Sequence, residues 1–132
     1  QGLPFAEELV AEGDNSIGSG EECAEQLLRR EPRPTAVFAA NDDMAAGVVR
    51  VATQMGINIP EDLSVAGCDD ISLAQQIHPS LTTIRQPLRD MAEAASRALI
   101  NGSRGAPHDP GLETIPGSIQ VRESTGPAPA DS

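Results

Sequence analysis

Pro34-Thr35-Ala36-Val37-Phe38-Ala39-Ala40-Asn41-Asp42-Asp43-Met44-Ala45-Ala46-Gly47 is the stretch on which the fold turns. Its apolar run, Ala36 to Ala40, has the length and character of a strand buried on both faces of a parallel sheet. Asn41-Asp42-Asp43 stops the run and supplies short polar side chains suited to capping a helix. Ala45, Val48, Val49 and Ala52 then share one helical face, and Gly56 stands where that helix ends. Strand, cap, helix and glycine make half of a β-α-β unit.

Downstream, Leu63 to Gly67 reads as a second strand, closed by Asp69 and Asp70, at a spacing that suits a right-handed crossover between parallel neighbours. A short helical turn is expected at Ser72 to Gln76, and a third strand-like run at Leu81 to Ile84. Pro87 suits the first position of another helix, whose apolar positions Leu88, Met91, Ala92, Ala95, Ala98 and Leu99 keep helical spacing until Asn101-Gly102. A Gly/Pro-rich loop over 102–111 leads to Leu112 through Ile115, and Ser118 to Arg122 alternates like an edge strand. Residues 126–132 read as a disordered tail. Upstream, a helix opens at Ser16 or Ser19, where Ser19 and Glu22 form a capping-box pattern ahead of Cys23, Ala24, Leu27 and Leu28, and it ends before Pro32 and Pro34. The fold class is therefore α/β, a parallel sheet with flanking helices.

Composition narrows the function. The chain's 132 residues suit one core, and its 20 acidic residues outweigh nine basic ones, all Arg, for a formal charge of −11. So acidic a segment lacks the cations that displace counterions from nucleic acid, and with no Trp or Tyr it offers no base-stacking platform. No apolar stretch approaches the roughly 18 residues of a spanning helix, and nothing resembles a signal peptide. Gln1 is not an initiator Met, so the start reads as a cut. Cys23 and Cys68 sit far apart in apolar contexts, as buried free thiols do in a reducing cytosol.

Both parallel strands end in short polar residues, which brings Asn41 and Asp69 to the sheet edge where open α/β folds bind ligands. An ionised Asp accepts several hydrogen bonds and an Asn amide both donates and accepts, a match for neighbouring sugar hydroxyls. Asp42 and Asp43 are expected to cap helices and turns instead. Acidic clusters at such an edge also hold Mg²⁺ for phosphoryl transfer, but that chemistry recruits a Lys, and this chain has none. It also lacks a Gly-rich phosphate loop and a G-x-S-x-G elbow, while His78 and His108 read as surface residues beside prolines. The reading is a binding module that needs no catalytic residue, metal or cofactor.

The segment from Pro34 to Gly47 resembles the P-T-A, apolar run, N-D-x-M-A-x-G signature of the lactose and galactose repressor family. The resemblance continues through Ile59-Pro60-Glu61-Asp62-Leu63-Ser64-Val65-Ala66-Gly67, Asp69-Asp70, Pro79 to Pro87 and Arg122-Glu123-Ser124-Thr125. It implies a periplasmic-binding-protein-like (type I) fold, present as a partial C-terminal lobe over residues 1–86. Residues 87–111 would cross to an N-terminal lobe, and residues 112–125 would return. It implies a cytoplasmic, sugar-sensing homodimer that binds operator DNA through a helix-turn-helix absent from this chain. An extracytoplasmic sugar-binding protein of a transport system is the alternative. By resemblance, Asn41, Asp69 and Gln86 fall at effector-binding positions, and Asn15 stands where relatives often place an aromatic ring under the ligand. Cys68 replaces a Phe or Tyr, and Leu88 an aromatic at the crossing. The resemblance also maps Ala46, Arg50 and Ile77, the last expected to be exposed, to the dimer contact.

Overall fold

The computed structural model describes residues 6–103 and 113–128. After a single 3-10 turn at Glu7–Leu9 come α1 (Ile17–Leu28), β1 (Ala36–Phe38), α2 (Asp42–Gln54), β2 (Ser64–Asp69), α3 (Leu73–Gln76), β3 (Thr82–Arg85), α4 (Leu88–Ser103) and β4 (Ser118–Gln120). The four strands form one sheet in the order β1-β2-β3-β4. β1, β2 and β3 run parallel, with Phe38 level with Ala66 and Asp69 level with Arg85. β4 closes the sheet antiparallel to β3.

The helix starts show which polar residues do the capping. Ser16 caps α1, its hydroxyl accepting the Ser19 amide at 3.1 Å, so the expected Ser19–Glu22 box is not formed. Ser19 sits one turn further in, donating its own hydroxyl to the Ser16 carbonyl and accepting the Asp14 amide. Asn41 caps α2 by accepting the Met44 amide at 2.9 Å. Gly56, at φ +71°, ends α2 in the left-handed conformation that glycine adopts without strain.

α1 and α2 touch backbone to backbone. A Cβ on Gly20 would stand 2.3 Å from the Met44 carbonyl oxygen, and one on Gly47 2.4 Å from that of Ile17. Only glycine at both positions lets the helices cross so closely, and the crossing brings both helix N-termini, with Ser16 and Asn41, to one end of the fold. Below them, Ala24, Leu28, Ala45, Val48, Ala52, Leu63, Val65 and Leu81 form the core. Burying a side chain the size of Leu63 or Leu81 contributes about 1.5–3 kcal/mol each.

Three further expectations, on exposure and extent, need correction. β1 is not buried on both faces: it is the outer strand of this sheet, and Phe38 is 65% exposed. Ile77 is not freely exposed but half-buried against the core, because α3 lays it there. α4 does not stop at Asn101-Gly102 but runs through both to Ser103. No residue of α4 with a described side chain is buried, and its apolar positions Leu88, Met91 and Leu99 face outward.

Candidate functional site

β1 and β2 run parallel, so Asn41, three residues past the end of β1, and Asp69, the last residue of β2, lie at the same carboxyl edge of the sheet. Asn41 is tied by both ends of its amide. Its oxygen caps α2, while its Nδ2 donates to the Asn15 carbonyl at 2.9 Å. Asn15 lies just before the α1 cap in the left-handed region, φ 69°, which Asn tolerates better than most residues. Asp69, the last residue of β2, accepts Gln86 Nε2 on Oδ1 at 2.5 Å. The four sequence-predicted ligand residues thus form two hydrogen-bonded pairs, Asn41 with Asn15 and Asp69 with Gln86. Gln86 Nε2 also donates to the Cys68 sulfur at 3.8 Å, and together the Asn41 and Gln86 amides and the Asp69 carboxylate make a mixed donor and acceptor set.

Asp42 is not the cap that its position suggests; Asn41 holds that role. Asp42 is buried, accepting the Thr83 hydroxyl on Oδ1 at 2.5 Å and the Ile71 amide on Oδ2 at 2.9 Å. Gly67 makes room for it, since a Cβ there would lie 2.5 Å from Oδ1. Asp42 therefore staples α2 to β3 and to the turn that follows β2.

That turn is unusual. Asp69 and Asp70 are consecutive non-glycine residues with positive φ, 115° and 57°. Such conformations cost of order 1 kcal/mol or more each and persist where surrounding contacts over-determine them. Here the Asp70 carboxylate, 3% exposed, accepts Arg85 Nε at 2.6 Å and an Nη of Arg122. Burial pushes the Asp70 pKa up, yet hydrogen bonds and charge from Arg122 and Arg85 outweigh it and hold the group below its ordinary value of 3.8. Arg122 also donates to the Leu81 carbonyl at 2.6 Å. Sequence reasoning missed Arg85, Arg122 and Thr83 as supports of the site. The one available signal was that Asp70 had no assigned task while Arg122 lay in a motif.

The rest of that motif is structural. Ser124 is fully buried between β2 and β3, donating to the Val65 carbonyl and accepting the Thr82 amide. Glu123 accepts both the amide and the hydroxyl of Ser80, and Gly126 donates to Ser64. Cys68, half-buried beside Asp69, is a free cysteine; burial and then the Asp69 charge push its thiol pKa up, so it is no ready thiolate. His78 is exposed, with Nδ1 3.9 Å from Glu123, whereas His108 and Leu112 lie outside the described residues. Arg50 is exposed and pairs with Glu21 of α1 at 2.9 Å, and Ala46 is half-buried on the same helix. A groove of about 470 Å³ between α1 and β1, lined by Leu27, Val37, Phe38 and Met44 among others, does not include Asp69 or Gln86. Asn41, Asp69 and Gln86 are each half-buried.

No helix among the described residues is long and apolar enough to cross a membrane. Residues 1–125 match the family model described as a periplasmic binding protein-like domain. Catabolite control protein A of Priestia megaterium is 36% identical over 94% of this chain and 37% of its own length. Among solved structures, a complex of the transcriptional regulator CelR with cellobiose superposes with a TM-score of 0.85 at 35% identity, over 93% of this chain and 38% of that one. A sugar-binding LacI-family regulator from Escherichia coli, complexed with phosphate, gives a TM-score of 0.82 at 34% identity, over 97% and 45%. The chain spans 37% of the length of the curated relatives it matches. The chain belongs to the periplasmic binding protein-like domain family, on the branch of the LacI-type transcription regulators.

Proposed function

We propose that this chain is the effector-binding region of a ligand-controlled, DNA-binding repressor that senses a sugar or similar small polar molecule. The observation that carries the reading is the juxtaposition of Asn41 and Asp69 at the carboxyl ends of adjacent parallel strands, with Asn15 and Gln86 hydrogen-bonded to them. This cluster offers hydroxyl groups both donors and acceptors at the edge where open α/β sheets bind ligands. Effector binding closes two lobes on each other and thereby changes how a cytoplasmic homodimer presents its DNA-binding segments. In this reading residues 1–86 belong to the C-terminal lobe, residues 87–111 cross to the partner lobe and residues 112–125 return. The outward-facing apolar positions of α4 suit such a crossing. The relatives are regulators by name, which weighs against a transport protein or an enzyme.

The test is calorimetric titration of the regulator carrying this chain with cellobiose, ribose and lactose. At least one should bind, and Asp69→Asn should weaken it by about tenfold to a hundredfold without moving the unliganded Tm. Tight binding by the variant, or none by the wild type across the three sugars, overturns the reading. Dimerisation through Ala46, Arg50 and Ile77 is part of the same proposal. Because Ile77 packs against the core, Arg50→Glu is the cleaner probe, its side chain being 64% exposed. Sedimentation should show a monomer, and an unchanged dimer removes this face from the contact.

A further inference from the structure

Two consecutive residues of β3 and its exit reach back onto the last residue of β2 and the one that follows it. Arg85 Nε donates to Asp70 at 2.6 Å, and Gln86 Nε2 donates to Asp69. From the other side Arg122, 15% exposed, donates to the second Asp70 oxygen and anchors itself on the Leu81 carbonyl. Underneath, Asp42 takes the amide of Ile71. Asp69 and Asp70 both hold positive φ without being glycine, so the turn keeps its shape only while these neighbours hold it.

We propose that Asp70, clamped between Arg85 and Arg122, is a positioning residue: it aims the Asp69 carboxylate at Gln86 and so sets the acceptor geometry that the effector meets. It touches no ligand itself. The division of labour follows from the backbone. At the end of a strand two neighbouring side chains diverge, so one carboxylate can be buried among cations while the next stays half-buried at the edge. A bidentate grip by two guanidinium groups fixes Asp70 in direction as well as position. The same grip reaches the start of α4, since Arg85 and Gln86 are separated from Leu88 only by Pro87. Naming this the effector site rests on the proposed function, whereas the positioning itself does not.

Nuclear magnetic resonance of the chain tests it without a ligand. In Asp70→Asn, and in Arg85→Gln where the lost side chain is 54% exposed and folding is not at risk, the Gln86 side-chain amide should move to the position and exchange rate of a solvated amide. The Ile71 amide proton should exchange about tenfold faster, while the amides of α2 keep their protection. Unchanged Gln86 resonances in both variants overturn the proposal. So does a parallel loss of protection across α2 in Arg85→Gln, which would make the cluster merely stabilising. Asp70→Gly is the third arm. It relieves the backbone but deletes the carboxylate, so a wild-type Gln86 signal there shows that φ alone shapes the turn and refutes the clamp. Should wild type bind none of cellobiose, ribose and lactose while the Gln86 signal behaves as expected, the functional reading fails and the positioning stands. A sugar bound equally by wild type and Arg85→Gln, despite a released Gln86, refutes the link to the site.

Discussion

α2 and α4 carry similar amphipathic patterns, and the fold treats them in opposite ways. α2 buries Met44, Ala45, Val48, Val49, Val51 and Ala52 between α1 and the sheet, and at Gly47 it touches α1 through bare backbone. α4 keeps the same spacing over Leu88, Met91 and Leu99, yet no described side chain along it is buried. Periodicity reports that a helix has a face to cover; it does not report what covers it. In α2 the covering element is in this chain. In α4 no described residue covers the stripe, and in the proposed reading the partner lobe would cover it.

The sharpest way to break this contrast is a matched truncation. Leu81 is fully buried against the α2 side of the sheet, while Leu99 is 76% exposed. Leu81→Ala should cost about 2–5 kcal/mol and Leu99→Ala no more than about 0.5 kcal/mol in chemical denaturation of this chain. Comparable losses at the two sites would mean that α4 is packed in solution and that the contrast is false.

A smaller effect separates two neighbouring acids at the start of α2. Asp42→Ala strips acceptors from a buried Thr83 hydroxyl and the Ile71 amide, and should lower stability by about 2–3 kcal/mol. Asp43→Ala, at a half-buried position, should stay within about 0.5 kcal/mol. If both variants unfold at the same denaturant midpoint, Asp42 is the ordinary helix-terminal acid that its sequence position suggests.

The smallest effect is acid sensitivity, and it belongs to the turn that follows β2. The Asp70 pKa lies below its ordinary value of 3.8 in the folded state, because Arg122 and Arg85 favour the carboxylate more than burial opposes it. The folded state therefore binds that proton less readily than the unfolded chain. Its contribution is complete above the ordinary carboxylate range and is lost as pH falls below about 4 towards the folded pKa. In thermal melts from pH 6 to pH 3, Asp70→Asn should flatten this acid limb. An unaltered slope would show that the guanidinium groups do not stabilise the charged form.

Much of the fold was legible because it is local. The Ala36–Ala40 run, the Asn41-Asp42-Asp43 stop, the stripe of α2 and Gly56 each state their conformation within a few residues, and two such units in succession imply parallel neighbours. The candidate site was legible only as a placement. Strand ends share an edge, so Asn41 and Asp69 could be brought together from topology, and the family resemblance added Gln86 and Asn15.

What only the tertiary structure decided was the partner of each polar group. Asn41 and Asp42 are the cap and the first residue of α2, and sequence ranked the wrong one as the cap, because the choice depends on where Thr83 and the Ile71 amide lie. Asp70 likewise looked like an echo of Asp69 until Arg85, at the end of β3, and Arg122, two residues past β4, closed on it. Sequence by itself determined element types, their order and the shared edge, since propensity and hydrophobic period are short-range. The separation of a half-buried Asp69 at the sheet edge from an Asp70 held by two guanidinium groups needed residues 15 and 52 positions away, which only packing brings within hydrogen-bond reach.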